Sequence, residues 1–200
     1  MDARTATVKR ETRETNVSVE LNLDGTGQYS VSTGNGFFDH LLSQLSRHSL
    51  MDLTIEASGD AAQTGWHHTV EDVSIAVGRA LHEALGDGRG IMRMGHSMVP
   101  FDETLVQVAI DLSGRSYAIV DTAIDAEMVE SLPADLVRHS LESIAMEGRF
   151  NLHATVLAGQ NPHHKAEALF KALARALRQA IAIDPRQSDQ VPSTKGTISG

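Results

Sequence analysis

The sequence contains His67-His68-Thr69-Val70-Glu71 and, 96 residues further on, His163-His164-Lys165-Ala166-Glu167. Both segments read HHxxE. Imidazole nitrogens and carboxylate oxygens are metal donors, and the first histidine and the glutamate are four residues apart. On a helix those two side chains lie on one face and can share an ion. The second histidine is turned by about 100° and must point elsewhere, so one copy of the motif can serve two different ions. With two copies related by an internal repeat, each ion can take His and Glu from one copy and the second His from the other. His40 in FFDHLLSQLSRH (37–48) and His139 in LVRHSLESIAME (136–147) occupy matching places and would each add one ligand. The expectation is two sites, each of three imidazoles and one carboxylate, with positions left open for substrate. Mixed nitrogen and oxygen donors suit Mn, Fe, Co, Ni or Zn. Zinc favours a tetrahedral site, whereas open octahedral positions with carboxylates favour manganese.

These ligands need elements to hold them, and the elements occur twice in the same order. A strand-like segment follows each short helix: DLTIEAS at 52–58 and FNLHATV at 150–156. Then come a turn-rich stretch, a His-His pair and a long amphipathic helix, from His68 in the first half and from His164 in the second. TATVKRE, NVSVELNL and QYSVST alternate apolar and polar residues, with DGTG as a hairpin turn. SMVPF, TLVQVAIDL and SYAIVDTAI do the same around SGR. This pattern predicts an α+β protein made by internal duplication. Each half carries a mostly four-stranded sheet and two helices. The halves are 1–90 and 91–185, followed by a Pro-, Ser- and Gly-rich tail at 186–200. By itself such a tail reads as a disordered end.

Composition narrows the function classes. A formal net charge of −9 argues against nonspecific nucleic-acid binding, which needs clustered Lys and Arg. Aromatic residues make up only 4%, which argues against base-stacking platforms. The absence of cysteine excludes thiolate metal sites. MDARTATVKRETRET has no signal-peptide apolar run, and no stretch approaches a membrane span, so a cytoplasmic protein is expected. Among the other histidines, His82 reads as a surface helix residue. His153 sits in a strand facing solvent or core, and His96 near MVPFDE has no counterpart in the repeat. His48 closes the first short helix, where its charge favours the C-terminus, and it can still face the site.

Six separated motifs, FFDHLL, HHTVED, PFDETL, DLSGR, HHKAEALFKALARALR and PSTKG, together resemble the imidazoleglycerol-phosphate dehydratase family of histidine biosynthesis. The resemblance runs from about Val8 to Ser199. It implies helices sandwiched between two sheets and two manganese ions per active site. It also implies twenty-four subunits built from trimers, with active sites shared between subunits. It carries His40, His67, His68, Glu71, His139, His163, His164 and Glu167 over as metal ligands. Phosphate-binding positions fall on Arg93, Arg115, Lys171, Ser193 and Lys195, with Gln44 and His48 nearby. Glu14 in RETNVS matches a carboxylate near the reacting carbons. Glu14, Glu71, Glu167 and His48 are thus the catalytic candidates, and the tail would order over the substrate phosphate. Without the resemblance, Arg115 reads as a turn residue and Lys195 as a solvated charge. One departure stands out: Trp66 replaces the acidic residue usual before the first His-His pair, and the preceding AAQTG is atypical. A missing carboxylate would weaken the support behind that pair.

The implied reaction converts imidazole glycerol phosphate to imidazole acetol phosphate. Two cations on the ring nitrogens would favour imidazolate and expulsion of the adjacent hydroxyl through a diazafulvene-like intermediate. Proton transfer would fall to Glu14 or a metal-bound water. Two other readings fit the ligand pattern: a dinuclear hydrolase with ions about 3.5–4 Å apart, and a metal-storage cage without catalysis. A pocket built from Arg93, Arg115 and Lys195 would count against the cage.

Overall fold

The protein was studied as a computed structural model, which describes residues 3–198. Residues 1 and 2 of the expected first half and 199 and 200 of the expected tail lie outside the described residues. The first half runs β1 (Thr5–Glu11), β2 (Thr15–Asn22), β3 (Tyr29–Ser32), α1 (Gly36–Ser49), β4 (Asp52–Gly59), the four-residue α2 (Ala61–Thr64) and α3 (His67–Leu85). The second half runs β5 (Met94–Phe101), β6 (Thr104–Asp111), β7 (Tyr117–Asp121), the small β8 (Met128–Val129) and β9 (Leu132–Pro133) hairpin, α4 (Asp135–Glu147), β10 (Asn151–Ala158) and α5 (Pro162–Ala180).

The duplication extends to topology. The two four-stranded sheets have the orders β1-β2-β4-β3 and β5-β6-β10-β7. In each, the strand that comes last in sequence lies between the second and third, antiparallel to one and parallel to the other. This corrects the expected hairpins. DGTG does not join paired strands, and neither does SGR, because β2 and β3, like β6 and β7, are not neighbours. The reason is the helix that follows. A β3–α1–β4 segment is a crossover, which sets its two strands parallel and side by side. Asp52 at the start of β4 fixes the β2–β3 loop by accepting the N–H groups of Thr26 and Gln28, both at 2.8 Å.

Alternation decides which face of each sheet is covered. Val17, Val19 and Leu21 of β2 and Leu53 and Ile55 of β4 are buried, with polar residues between them. The long helices fill the space between the sheets. Helix α3 packs on β1, β2 and β4, and α5 on β5, β6 and β10. The shorter helices cross over between halves: α1 packs on α5, and α4 on α3. Phe38, Leu41, Leu42 and Leu45 of α1 and Leu169, Phe170 and Leu173 of α5 are fully buried. Among the described residues, no helix is long and apolar enough to cross a membrane.

Helix starts matter because the ligands sit there. The Asn35 side chain accepts the N–H groups of Phe37 and Phe38, which fixes where α1 begins. Asn161 accepts the His163 N–H, and Pro162 occupies the first turn, so α5 starts ahead of both histidines. Trp66 precedes α3 without a side-chain cap. Helix α3 thus begins at His67 and α5 one residue ahead of His163, so His67 and Glu71, and His163 and Glu167, lie four apart within one helix.

The α3–α4 crossing leaves no room at Gly78. A Cβ there would lie 2.7 Å from the Ile144 carbonyl oxygen and 2.9 Å from the Glu147 Cβ. Gly78→Ala should destabilise the protein by about 1–3 kcal/mol through overpacking. Chemical denaturation measures this, and an unchanged midpoint would show that the crossing has slack.

Candidate metal centre

The cross-packed helices assemble two triads. His40 from α1 meets His163 and Glu167 from α5, and His139 from α4 meets His67 and Glu71 from α3. In each triad the three donor atoms lie within 4.8 Å of one another. The Nε2 atoms of His40 and His163 approach the same Glu167 oxygen, at 2.8 and 3.2 Å. In the other triad, Nε2 of His67 and of His139 lie 4.0 and 3.5 Å from the Glu71 carboxylate. The His67 and His139 rings stack at 4.9 Å.

The triads are unequal in exposure. The Glu167 side chain is 8% exposed and that of Glu71 is 38% exposed. Burial opposes ionisation of Glu167. Hydrogen bonds from Lys171 and His40, with the charge of Lys171, outweigh it and hold its pKa down to about 2. The carboxylate is therefore available as an anionic donor at neutral pH. The Nε2 atom of His139 is buried and makes no hydrogen bond, since its approach to Glu71 lacks the geometry for one. A buried polar atom without a partner is costly, and a cation between it and Glu71 would remove that cost. Two imidazoles and a carboxylate form the mixed donor set of a divalent transition metal. On these grounds the residues present fit an ion at each triad.

The second histidine of each motif points away, as the 100° step requires. His68 joins neither triad; its Nδ1 lies 3.2 Å from Asp60 at the head of α2. His164 likewise stays out, with Nδ1 2.7 Å from Glu103 in the β5–β6 turn. Sequence reasoning gave no role to either acid. Glu103 stands within PFDETL, but its pairing needs a turn brought 61 residues along the chain. Asp60 carries no local signal, although it supplies a carboxylate beside the His68 ring. Hydrogen bonds from the Asn161 N–H and His164 hold the Glu103 carboxyl well below the ordinary carboxylate range. The hydrogen bond to Asp60 raises the pKa of His68.

The expected phosphate residues divide between two places. Arg93, Arg115, Ser193 and Lys195 line one cavity of about 640 Å³ closed by the tail. Arg93 grips Asp111 at 2.7 and 3.1 Å and donates to the Pro192 carbonyl at 2.8 Å. Lys171 is not in that cavity: it pairs with Glu167 and sits 4.2 Å over the Phe101 ring. The Gln44 side-chain oxygen accepts from His48 Nε2 at 3.0 Å, the two residues lying about one and two turns along α1 from His40. Burial, followed by the charges of Lys171 and Arg175, lowers the pKa of His48. Glu14 lies in the β1–β2 turn, lining an open cleft of about 330 Å³ with Asp60. His96 and His153 are exposed on strands and His82 is half-buried on α3; none joins a triad.

Residues 33–177 match the family described as imidazoleglycerol-phosphate dehydratase. The chain is 54% identical over 198 residues to an imidazoleglycerol-phosphate dehydratase of Dehalococcoides mccartyi, covering 99% of both. It is 51% identical over 195 residues to one from Dinoroseobacter shibae, covering 98% of this chain and 100% of the relative. A solved structure of the Staphylococcus aureus enzyme aligns at TM-score 0.81 and 32% identity, covering 90% of this chain and 99% of that one. The Pyrococcus furiosus enzyme, in complex with (S)-C348, aligns at TM-score 0.79 and 32% identity, covering 94% and 99%. The chain belongs to the imidazoleglycerol-phosphate dehydratase family and is thereby a hydro-lyase.

Proposed function

We propose that the chain dehydrates D-erythro-imidazole-glycerol 3-phosphate to imidazole acetol phosphate, as a step of histidine biosynthesis in the cytoplasm, with two Mn²⁺ ions per active site. The observation that carries this reading is the pair of His-His-Glu triads, one from each crossing of the two halves. Manganese held there would bind the substrate's ring nitrogens and lower the ring's pKa, which favours departure of the hydroxyl on the attached carbon.

The chain's own residues do the rest. His40, His163 and Glu167 hold one ion, and His67, Glu71 and His139 the other. His68 and His164 face away from their own triads, which supports their donation to sites on neighbouring copies. Active sites shared between subunits, in trimers building a twenty-four-subunit shell, follow from that reading. Arg93, Arg115, Ser193 and Lys195 bind the substrate phosphate and fix the carbon chain at the metals, with the tail as the cover. Lys171, Gln44 and His48 line the metal side of the same assembled pocket. Glu14, in the cleft beside Asp60 and near enough to act electrostatically on His68, takes the proton from the carbon next to the one losing hydroxyl. One water leaves, and the resulting enol becomes the ketone. The cavity of Arg93, Arg115 and Lys195 counts against a mere storage cage.

Glu167→Gln should abolish activity and lower bound manganese, measured by elemental analysis of the purified protein. Full turnover without bound metal would refute the metal mechanism. Arg115→Ala removes a charge-assisted contact worth about 1.5–3 kcal/mol, which corresponds to about 10–100-fold in affinity. The expected result is a KM raised by about that factor in steady-state assays; an unchanged KM would remove Arg115 from the phosphate site.

A further inference from the structure

The two outward-facing histidines share one detail of ring orientation. In the triads, His40, His163, His67 and His139 all turn Nε2 toward the glutamate. His68 and His164 turn Nδ1 toward a carboxylate of their own chain, Asp60 and Glu103, and His163 shows the consequence within a triad, where Nδ1 lies 3.2 Å from Glu130 and Nε2 is left for Glu167. An N–H donated through Nδ1 selects the tautomer whose lone pair lies on Nε2, and it locks the ring's direction.

We propose that Asp60 and Glu103 are positioning residues that present Nε2 of His68 and His164 to a divalent cation. On this view Asp60 supplies the support that Trp66 cannot. The proposal rests on the metal reading above, because the cation is the one held by the triads of another copy.

The supports are built differently. Glu103 also accepts the Gln160 and Asn161 N–H groups, at 3.0 and 2.8 Å, so it fastens the link that starts α5. His164 is thus tied to the same turn that orders its helix. Asp60 instead belongs to the longer link before α3. That link runs over residues 60–66 and forms α2, whereas residues 159–161 suffice before α5. Its side chain also pairs with Thr64, one turn along α2. Asp60 can therefore be removed without unfastening a long helix, and Glu103 cannot.

The test titrates metal-free wild type and variants with MnCl₂, following heat by calorimetry and free Mn²⁺ by electron paramagnetic resonance. Wild type should show two tight sites per chain. Asp60→Ala should keep the wild-type melting temperature and weaken one of the two sites by about 10–100-fold. Asp60→Asn, which retains an acceptor without its charge, should fall between. Glu103→Ala should weaken one site and also lower the melting temperature, and Glu103→Gln should recover part of both. Two sites of wild-type affinity in Asp60→Ala and Glu103→Gln would overturn the positioning role while leaving the metal reading intact. A wild-type protein that binds no Mn²⁺ would overturn both.

Discussion

Adjacent residues on a helix cannot aim at one target. Each step turns the side chain by about 100°, so a His-His pair at the start of a helix must serve two directions at once. Nearly every feature of the site follows from this angle. The first histidine stays with the glutamate one turn later and closes a triad with the helix that crosses it. The second leaves the triad and needs its own support, which Asp60 and Glu103 provide from loops. Because this happens in both halves, the chain carries two inward-facing and two outward-facing imidazoles at its two long-helix starts.

The helical layer converts that angle into geometry. If each short helix packed on the long helix of its own half, both triads would be intramural to one repeat. The structure does the opposite, placing α1 on α5 and α4 on α3. The seams are tight: Ser74 and Ser140 hydrogen-bond side chain to side chain at 2.8 Å across the α3–α4 crossing. A further buried contact binds α3 to its sheet, where Asp72 takes the Arg10 Nε at 2.6 Å and the Thr15 hydroxyl. Asp72 directly follows Glu71, and Thr15 directly follows Glu14, so one buried carboxylate holds a ligand helix and the turn bearing Glu14 in register.

Much of this was legible in the residues. Periodicity located both long helices and both short ones, because His40 and His139 sit in stretches whose apolar residues recur every three or four positions. The 100° argument separated His67 from His68 before any fold was known. Strand pairing was not legible. DGTG carries turn chemistry, yet sheet order depends on the crossover that follows, which lies outside any local window. The carboxylates behind His68 and His164 were also hidden. Asp60 and Glu103 act through tertiary approach, and exposed acids at turns are too common to mark themselves. Arg93 was identified, but its bidentate partner Asp111 comes from the adjacent strand, a pairing that only the folded sheet brings about.

The crosswise arrangement also bears on how the protein is made. The bond between His40 and Glu167 spans 127 residues of sequence. Contacts so distant along the chain form only after a large loss of chain entropy. A polypeptide emerging from synthesis with only its leading repeat folded has neither triad, since each takes a ligand from the trailing one. Competence to capture cations therefore coincides with completion of folding. A two-fold pair of half-length ancestors, by contrast, would have possessed both centres by symmetry alone.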